Sequence, residues 1–138
     1  MNCDILQNKL GFTCRPVSDS TIYIESPITM MFDGDCIGAY VQDIGRNRVR
    51  ISDNADMLFN AQNHDIAIKS DFKAKLQALA GKYGLELNEA GEIAGTCDSG
   101  STDFMLGNFI ELSARIGHLF EGKQRQETIS FERKISKI

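Results

Sequence analysis

An α+β fold is predicted for this 138-residue chain: one domain, with an antiparallel sheet of four to five strands packed on one face by two or three helices. Three observations predict it. Short β-patterned runs crowd the first half and are joined by turns too short for a crossover helix, so neighbouring strands must run antiparallel. Helical spacing takes over from Asp53, and the longest apolar stripe at that spacing comes last. The length suits a single core that buries roughly two-thirds of the unfolded surface, and 42% apolar with 25% charged residues is globular rather than disordered.

Residues 4–10 suggest a short helix, with Asp4 at its start, Ile5, Leu6 and Leu10 at partial helical spacing, and Gly11 after it. Residues 12–15 form a plausible strand stopped by Pro16. Residues 21–25, Thr-Ile-Tyr-Ile-Glu, form a better one, with Ile22 and Ile24 on one face and Pro27 ending it. The central feature is a hairpin. Residues 35–43 alternate Ile37, Ala39 and Val41 against Cys36, Gly38, Tyr40 and Gln42, residues 44–47 turn the chain, and residues 48–51 return with Val49 and Ile51 inward.

Ser52-Asp53-Asn54 closes the hairpin, with Asp53 as N-cap and Asp56 three residues on approximating a capping box before Met57, Leu58 and Ala61. Ser70-Asp71 opens the next helix, whose stripe is Phe72, Leu76, Leu79, Ala80 and Tyr83, and Gly84 stands where a C-terminal glycine belongs. Residues 85–87 and 92–94 flank Asn88-Glu89-Ala90-Gly91 as an edge hairpin. Residues 94–101 read as a loop with an N-cap. The last helix runs from Thr102 or Asp103 to about Phe120 on Met105, Phe109, Leu112, Ile116 and Leu119, widened by Leu106, Ile110 and Phe120, and Gly122 ends it. Gly107 and Gly117 suggest close packing. Residues 1–122 are then the α+β domain, and residues 123–138 are a basic tail, strand or helix, with Ile129, Phe131, Ile135 and Ile138 suited to an interface.

Cys3, Cys14, Cys36 and Cys97 include no C-x-x-C pair and have no neighbouring histidines, so they read as small buried hydrophobes in a reducing compartment, with Cys3 the exception near a terminus. Residues 1–4 lack the basic start and apolar run of a signal peptide, and no apolar run reaches membrane length. A soluble, cytoplasmic protein with no membrane association is expected. The net charge of −4 divides unevenly: residues 123–138 hold five basic and two acidic residues, leaving a −7 body and a +3 tail. Such a body repels a phosphate backbone, which disfavours direct nucleic-acid binding and favours a basic protein partner.

No catalytic signature stands out. Glu25, Asp35 and Asp53, with Asp33 nearby, could bring carboxylates from neighbouring strands to a divalent metal, as in a nuclease. Against this, the strand face beside Asp35 offers Tyr40 and Gln42 in place of a lysine or histidine, and the same acids serve equally well in turns and caps. His64 and His118 have no nucleophile at a recognisable spacing, and His118 suits a helix C-terminus. The glycines of residues 94–101 lack the lysine of a phosphate loop, and Asp98 and Asp103 would repel phosphate. No cofactor is expected, and an enzyme is less expected than a binding protein.

Ile24-Glu25-Ser26-Pro27, then Asp33-Gly34-Asp35 with Ile37 and Tyr40-Val41, then Val49-Arg50-Ile51-Ser52-Asp53 resemble a bacterial and phage family, the domain of unknown function numbered eighteen twenty-eight. The likeness covers roughly residues 20 to 120; the chain reads Asp53-Asn54-Ala55 where the family pattern has Asp-Asp-Gly. The resemblance implies a fold and a prokaryotic or phage setting, without a reaction. Together these readings lead to a non-enzymatic protein-binding module, an inhibitor or accessory of a host defence or nucleic-acid-handling complex. Its contacts are expected at Asp33, Asp35, Tyr40, Asp43, Arg46, Arg48 and Arg50. A divalent-metal nuclease or its regulator, using Glu25, Asp35 and Asp53, is one alternative. The other is a dimerising structural protein that pairs through residues 123–138.

Overall fold

The computed structural model describes residues 1–3, 11–30 and 32–136, with residues 127, 130, 131 and 136 described in backbone only. The helix expected over residues 4–10 therefore lies outside the described residues, as do the side chains of Phe131 and Ile138 in the tail. Alternation along the first half builds β1 (Thr13–Pro16), β2 (Thr21–Thr29), β3 (Cys36–Gly45) and β4 (Arg48–Ser52). β5 (Glu86–Leu87) and β6 (Ile93–Asp98) complete an antiparallel sheet in the order β1-β2-β3-β4-β6-β5. Ile22, Ile24, Ile37, Ala39, Val41, Val49 and Ile51 all turn to one face and are buried. Each larger aliphatic among them contributes roughly 1.5–3 kcal/mol by leaving water.

That face is covered by helices: α1 (Asp56–Asn63), α2 (Ser70–Lys82) and α3 (Thr102–Ser136). α3 lies across β3, β4 and β6 and also touches α1 and α2. Its stripe behaves as the spacing predicts, with Leu106, Phe109, Leu112, Ile116 and Phe120 buried. Gly117 is needed for this approach, because a Cβ there would meet Met30 Sδ at 3.1 Å, whereas a Cβ at Gly107 would meet nothing. Among the described residues no helix is long and apolar enough to cross a membrane.

Several expectations are corrected. The sheet has six strands rather than four or five, because residues 94–98, expected as loop, belong to β6 and pair with β4 from Ser52↔Ala94 to Arg48↔Asp98. The glycine that suggested a loop is a packing choice: a Cβ on Gly95 would lie 2.6 Å from Leu85 Cδ2. Pro27 does not end β2, which runs on to Thr29. The ladder with β3 is irregular between Glu25 and Thr29, and such an irregularity is where a strand tolerates proline.

Gly122 does not end α3 either. One glycine costs a helix only about 1 kcal/mol, and the next turn is held to the body, with Lys123 Nζ 4.9 Å from the Phe72 ring centre and Gln124 Nε2 donating to the Phe32 carbonyl at 3.3 Å. Residues 123–136 are therefore helix and not strand. His118 stands in mid-helix, 4.0 Å from Glu121, instead of at a C-terminus. Cys3 and Cys14 are joined in a disulfide with Cα atoms 5.7 Å apart, leaving Cys36 and Cys97 free. That pairing removes the thiol argument for a reducing compartment.

Candidate functional site

β4 ends at Ser52, opposite Tyr40, so the first residues of β3 have β2 on one side and no strand on the other. The chain instead turns through Asn54 and Ala55, both left-handed at φ 53° and 65°, and enters α1 alongside them. A cavity of about 160 Å³ remains between β3 and this junction, lined by Tyr23 and Glu25 of β2, Asp35, Gly38 of β3, Asp53, Asp56 and Asn60 around α1, and Ser113 of α3. At about 30 Å³ per water that is room for roughly five waters. Gly38 shapes the wall, because a Cβ there would overlap the Tyr23 hydroxyl. The Tyr23 ring centre also lies 5.0 Å from that of Tyr40 and 5.0 Å from the guanidinium carbon of Arg15.

The carboxylates of this cleft differ in what they already hold. Asp53 is 6% exposed and fully engaged: Oδ1 accepts the N–H of Ala55 and of Ile93, each at 2.9 Å, and Oδ2 accepts that of Met57 at 3.2 Å. Helix α1 begins at Asp56 with Ala55 in the capping position, so Asp53 caps from further upstream than the capping-box spacing implies, and it ties the helix start to β6 as well. Burial pushes its carboxyl up to about 6, offset in part by these three donors. Burial raises Asp56 too. Among the described residues Glu25, Asp35 and Asp56 enter no ion pair, and their carboxylates accept no hydrogen bond. Ser113, only 2% exposed, lines the same cavity from α3.

The cleft thus presents three uncompensated negative charges and several neutral oxygens around one small volume. A unit cation about 4 Å from one carboxylate gains on the order of 4 kcal/mol at an effective dielectric near 20, before its dehydration cost. Glu25, Asp35 and Asp53 share the cavity, yet no three His, Cys, Asp or Glu side chains among the described residues are placed to hold a metal ion.

The other residues expected at a contact are dispersed. Asp33 supports the loop before β3, accepting the Asp35 N–H at 2.9 Å and Asn60 Nδ2 at 3.4 Å, and its carboxyl is raised by burial. Asp43 and Arg46 sit at the far tip of the hairpin, where Asp43 accepts the Gly45 N–H at 2.9 Å. Arg48 is paired with Asp98 at 2.9 Å and donates to Thr96 at 3.1 Å. Arg50 is paired with Glu92 through two hydrogen bonds. Tyr40 stands beside the cleft through its contact with Tyr23.

Sequence reasoning missed Tyr23, Asp56 and Ser113. Asp56 was absorbed into capping, and Tyr23 into strand propensity. The one signal for Ser113 is a hydroxyl placed between Leu112 and Ile116 on the buried side of the final helix. Comparison with protein-family models, with curated proteins and with solved structures finds no match for the chain.

Proposed function

We propose that the chain is a non-enzymatic protein-binding module whose cleft receives a lysine or arginine side chain from a basic partner. The observation that carries this reading is the convergence of Glu25, Asp35 and Asp56, all without a cationic partner among the described residues, on one cavity. Elsewhere on the described surface Glu92, Asp98, Glu89 and Glu121 each face a basic group. An arginine suits the cavity better than a lysine. Its planar guanidinium can meet a carboxylate with two hydrogen bonds and still donate to the Ser113 and Tyr23 hydroxyl oxygens. The acidic body steers such a partner, and the family resemblance supports the bacterial or phage setting of an inhibitor or accessory protein.

Calorimetric titration with a capped Gly-Arg-Gly tripeptide tests the reading, with the citrulline counterpart as the uncharged control. Saturable heat from the arginine peptide alone, abolished by Asp56→Asn, is expected. Titration with magnesium or manganese chloride is the opposing arm. A saturable metal isotherm without any response to the arginine peptide would overturn the proposal in favour of the divalent-metal reading.

One observation favours a second reading, dimerisation through the tail: α3 extends to Ser136 with Ile129 and Ile135 about half exposed. Sedimentation of the whole chain beside one ending at residue 126 tests it, since pairing through this helix requires the longer chain alone to be dimeric.

A further inference from the structure

Between α2 and α3 lies an open groove of about 640 Å³, lined by the short side chains of Ala78 and Ala114 and by Leu79 and Leu119. Past Leu119 and His118 the groove continues into a hollow of about 420 Å³ beside Phe72 and Lys123. The floor is apolar and the rim is basic. Lys75 and Lys82 flank it on α2 and Arg115 flanks it on α3. Of the acids nearby, Glu111 accepts the Tyr83 hydroxyl at 3.1 Å and Glu121 faces Arg125 at 3.8 Å, while Asp71 lines the far hollow, away from Lys82 and Arg115. Lys75 and Lys82, by contrast, enter no ion pair among the described residues. No residue lines both this groove and the acidic cleft.

We infer that this groove docks one acidic amphipathic helix of a partner protein. Lys75 and Lys82 are seven residues apart, two helical turns or roughly 10 Å, which matches the i, i+3, i+4, i+7 anchor spacing of a helix laid in a groove. Apolar anchors then cover Leu79 and Leu119 while carboxylates on the flanks meet Lys75, Lys82 and Arg115. The charge of the rim opposes the helix of a second copy, because the projecting end of α3 carries Arg133 and Lys134 in its last turn.

The probe is a fluorescein-labelled helical peptide with leucines at i, i+3, i+4 and i+7 and glutamates on the flanks, compared by anisotropy with the same peptide carrying glutamines. Saturable binding of the acidic peptide is expected, with the glutamine peptide weaker by at least about tenfold. Both lysines are exposed, so the Lys75→Glu, Lys82→Glu double variant should keep its melting temperature and lose a similar factor for the acidic peptide. The capped arginine tripeptide should not compete, which separates this groove from the cleft. Equal binding of the two peptides, no saturation by the acidic one, or a wild-type dimer that the lysine substitutions convert to monomer would each overturn the inference.

Discussion

The guanidinium of Arg50 meets the carboxylate of Glu92 in two hydrogen bonds of 2.9 and 2.6 Å, joining β4 to the residue that leads into β6. Glu92 also accepts the Ser52 hydroxyl and Asn88 Nδ2, the latter at 2.9 Å, so one carboxylate organises the hairpin before β6. The hydrogen bonds from Arg50, aided by those from Ser52 and Asn88, hold its carboxyl down at about 2. Both side chains are mostly shielded, 32% and 18% exposed, so screening by water is partial. Glu92→Gln should cost about 2 kcal/mol in urea unfolding at pH 7, the value of charge-assisted hydrogen bonds lost. The sign with pH follows from a lowered carboxyl. Its contribution is complete above the unfolded value near 4.5 and fades as pH falls towards 2, so the variant should lack that part of the acid limb.

Asp53 tilts the profile the other way. In the folded chain its carboxyl keeps its proton up to about 6, whereas the unfolded chain releases it near 3.8. Between those values the folded state binds more protons, so stability falls as pH rises through the window and levels off above it. The difference amounts to roughly 3 kcal/mol by pH 7. Asp53→Asn should flatten this slope in a series of urea titrations from pH 4 to pH 7. A slope that survives the substitution would assign it to another group.

How the chain announces such features is uneven. The β3–β4 hairpin was legible because Ile37, Ala39, Val41, Val49 and Ile51 alternate over a long enough run to fix which face is buried. The α2 boundaries were legible from Ser70 and Gly84, and the α3 stripe from its width. β6 was legible only at its start, residues 92–94, since Gly95, Thr96 and Asp98 carry the composition of a loop, and only pairing with β4 and packing under Leu85 make them a strand. The cleft was half legible. Glu25, Asp35 and Asp53 could be grouped from sequence, but the grouping could not tell that Asp53 is consumed by three backbone donors or that Asp56 and Ser113 complete the wall. Those facts depend on where β4 stops, a tertiary property that no local pattern records.

Gly38 offers a direct probe of the cleft wall. A methyl group there would collide with the hydroxyl end of Tyr23, whose ring is held by Tyr40 and cannot swing away freely. Gly38→Ala should therefore cost roughly 1–3 kcal/mol as overpacking. Combining it with Tyr23→Leu should return part of that cost, because the shorter side chain no longer crosses β3. Thermal unfolding of the two single variants and the double variant measures the coupling.

The disulfide between Cys3 and Cys14 closes a separation of 11 residues. Loop-entropy reasoning assigns such a link about 3 kcal/mol at 25 °C. Unfolding with and without a thiol reductant should differ by up to that amount, and Cys14→Ser should match the reduced protein. Alkylation under denaturing conditions provides the check on chemistry: two thiols should react without reductant, those of Cys36 and Cys97, and all four after reduction.

Ala55 occupies a backbone conformation that an alanine adopts at a cost. Its φ of 65° follows directly on the 53° of Asn54, giving two successive left-handed residues without a glycine. A Cβ in that region crowds the following carbonyl by about 1–2 kcal/mol, and glycine escapes the penalty while gaining freedom in the unfolded chain. The two effects leave Ala55→Gly more stable by about 1 kcal/mol, with a correspondingly higher urea midpoint. The turn is held by the Asp53 carboxylate through the Ala55 N–H and by the Ser52 hydroxyl through the Asn54 N–H, both at 2.9 Å, so relief of strain should not shift the entry into α1. Binding of the arginine tripeptide should accordingly be unchanged in Ala55→Gly. A loss of binding together with a gain in stability would mean that the strained turn itself positions Asp56 for its ligand.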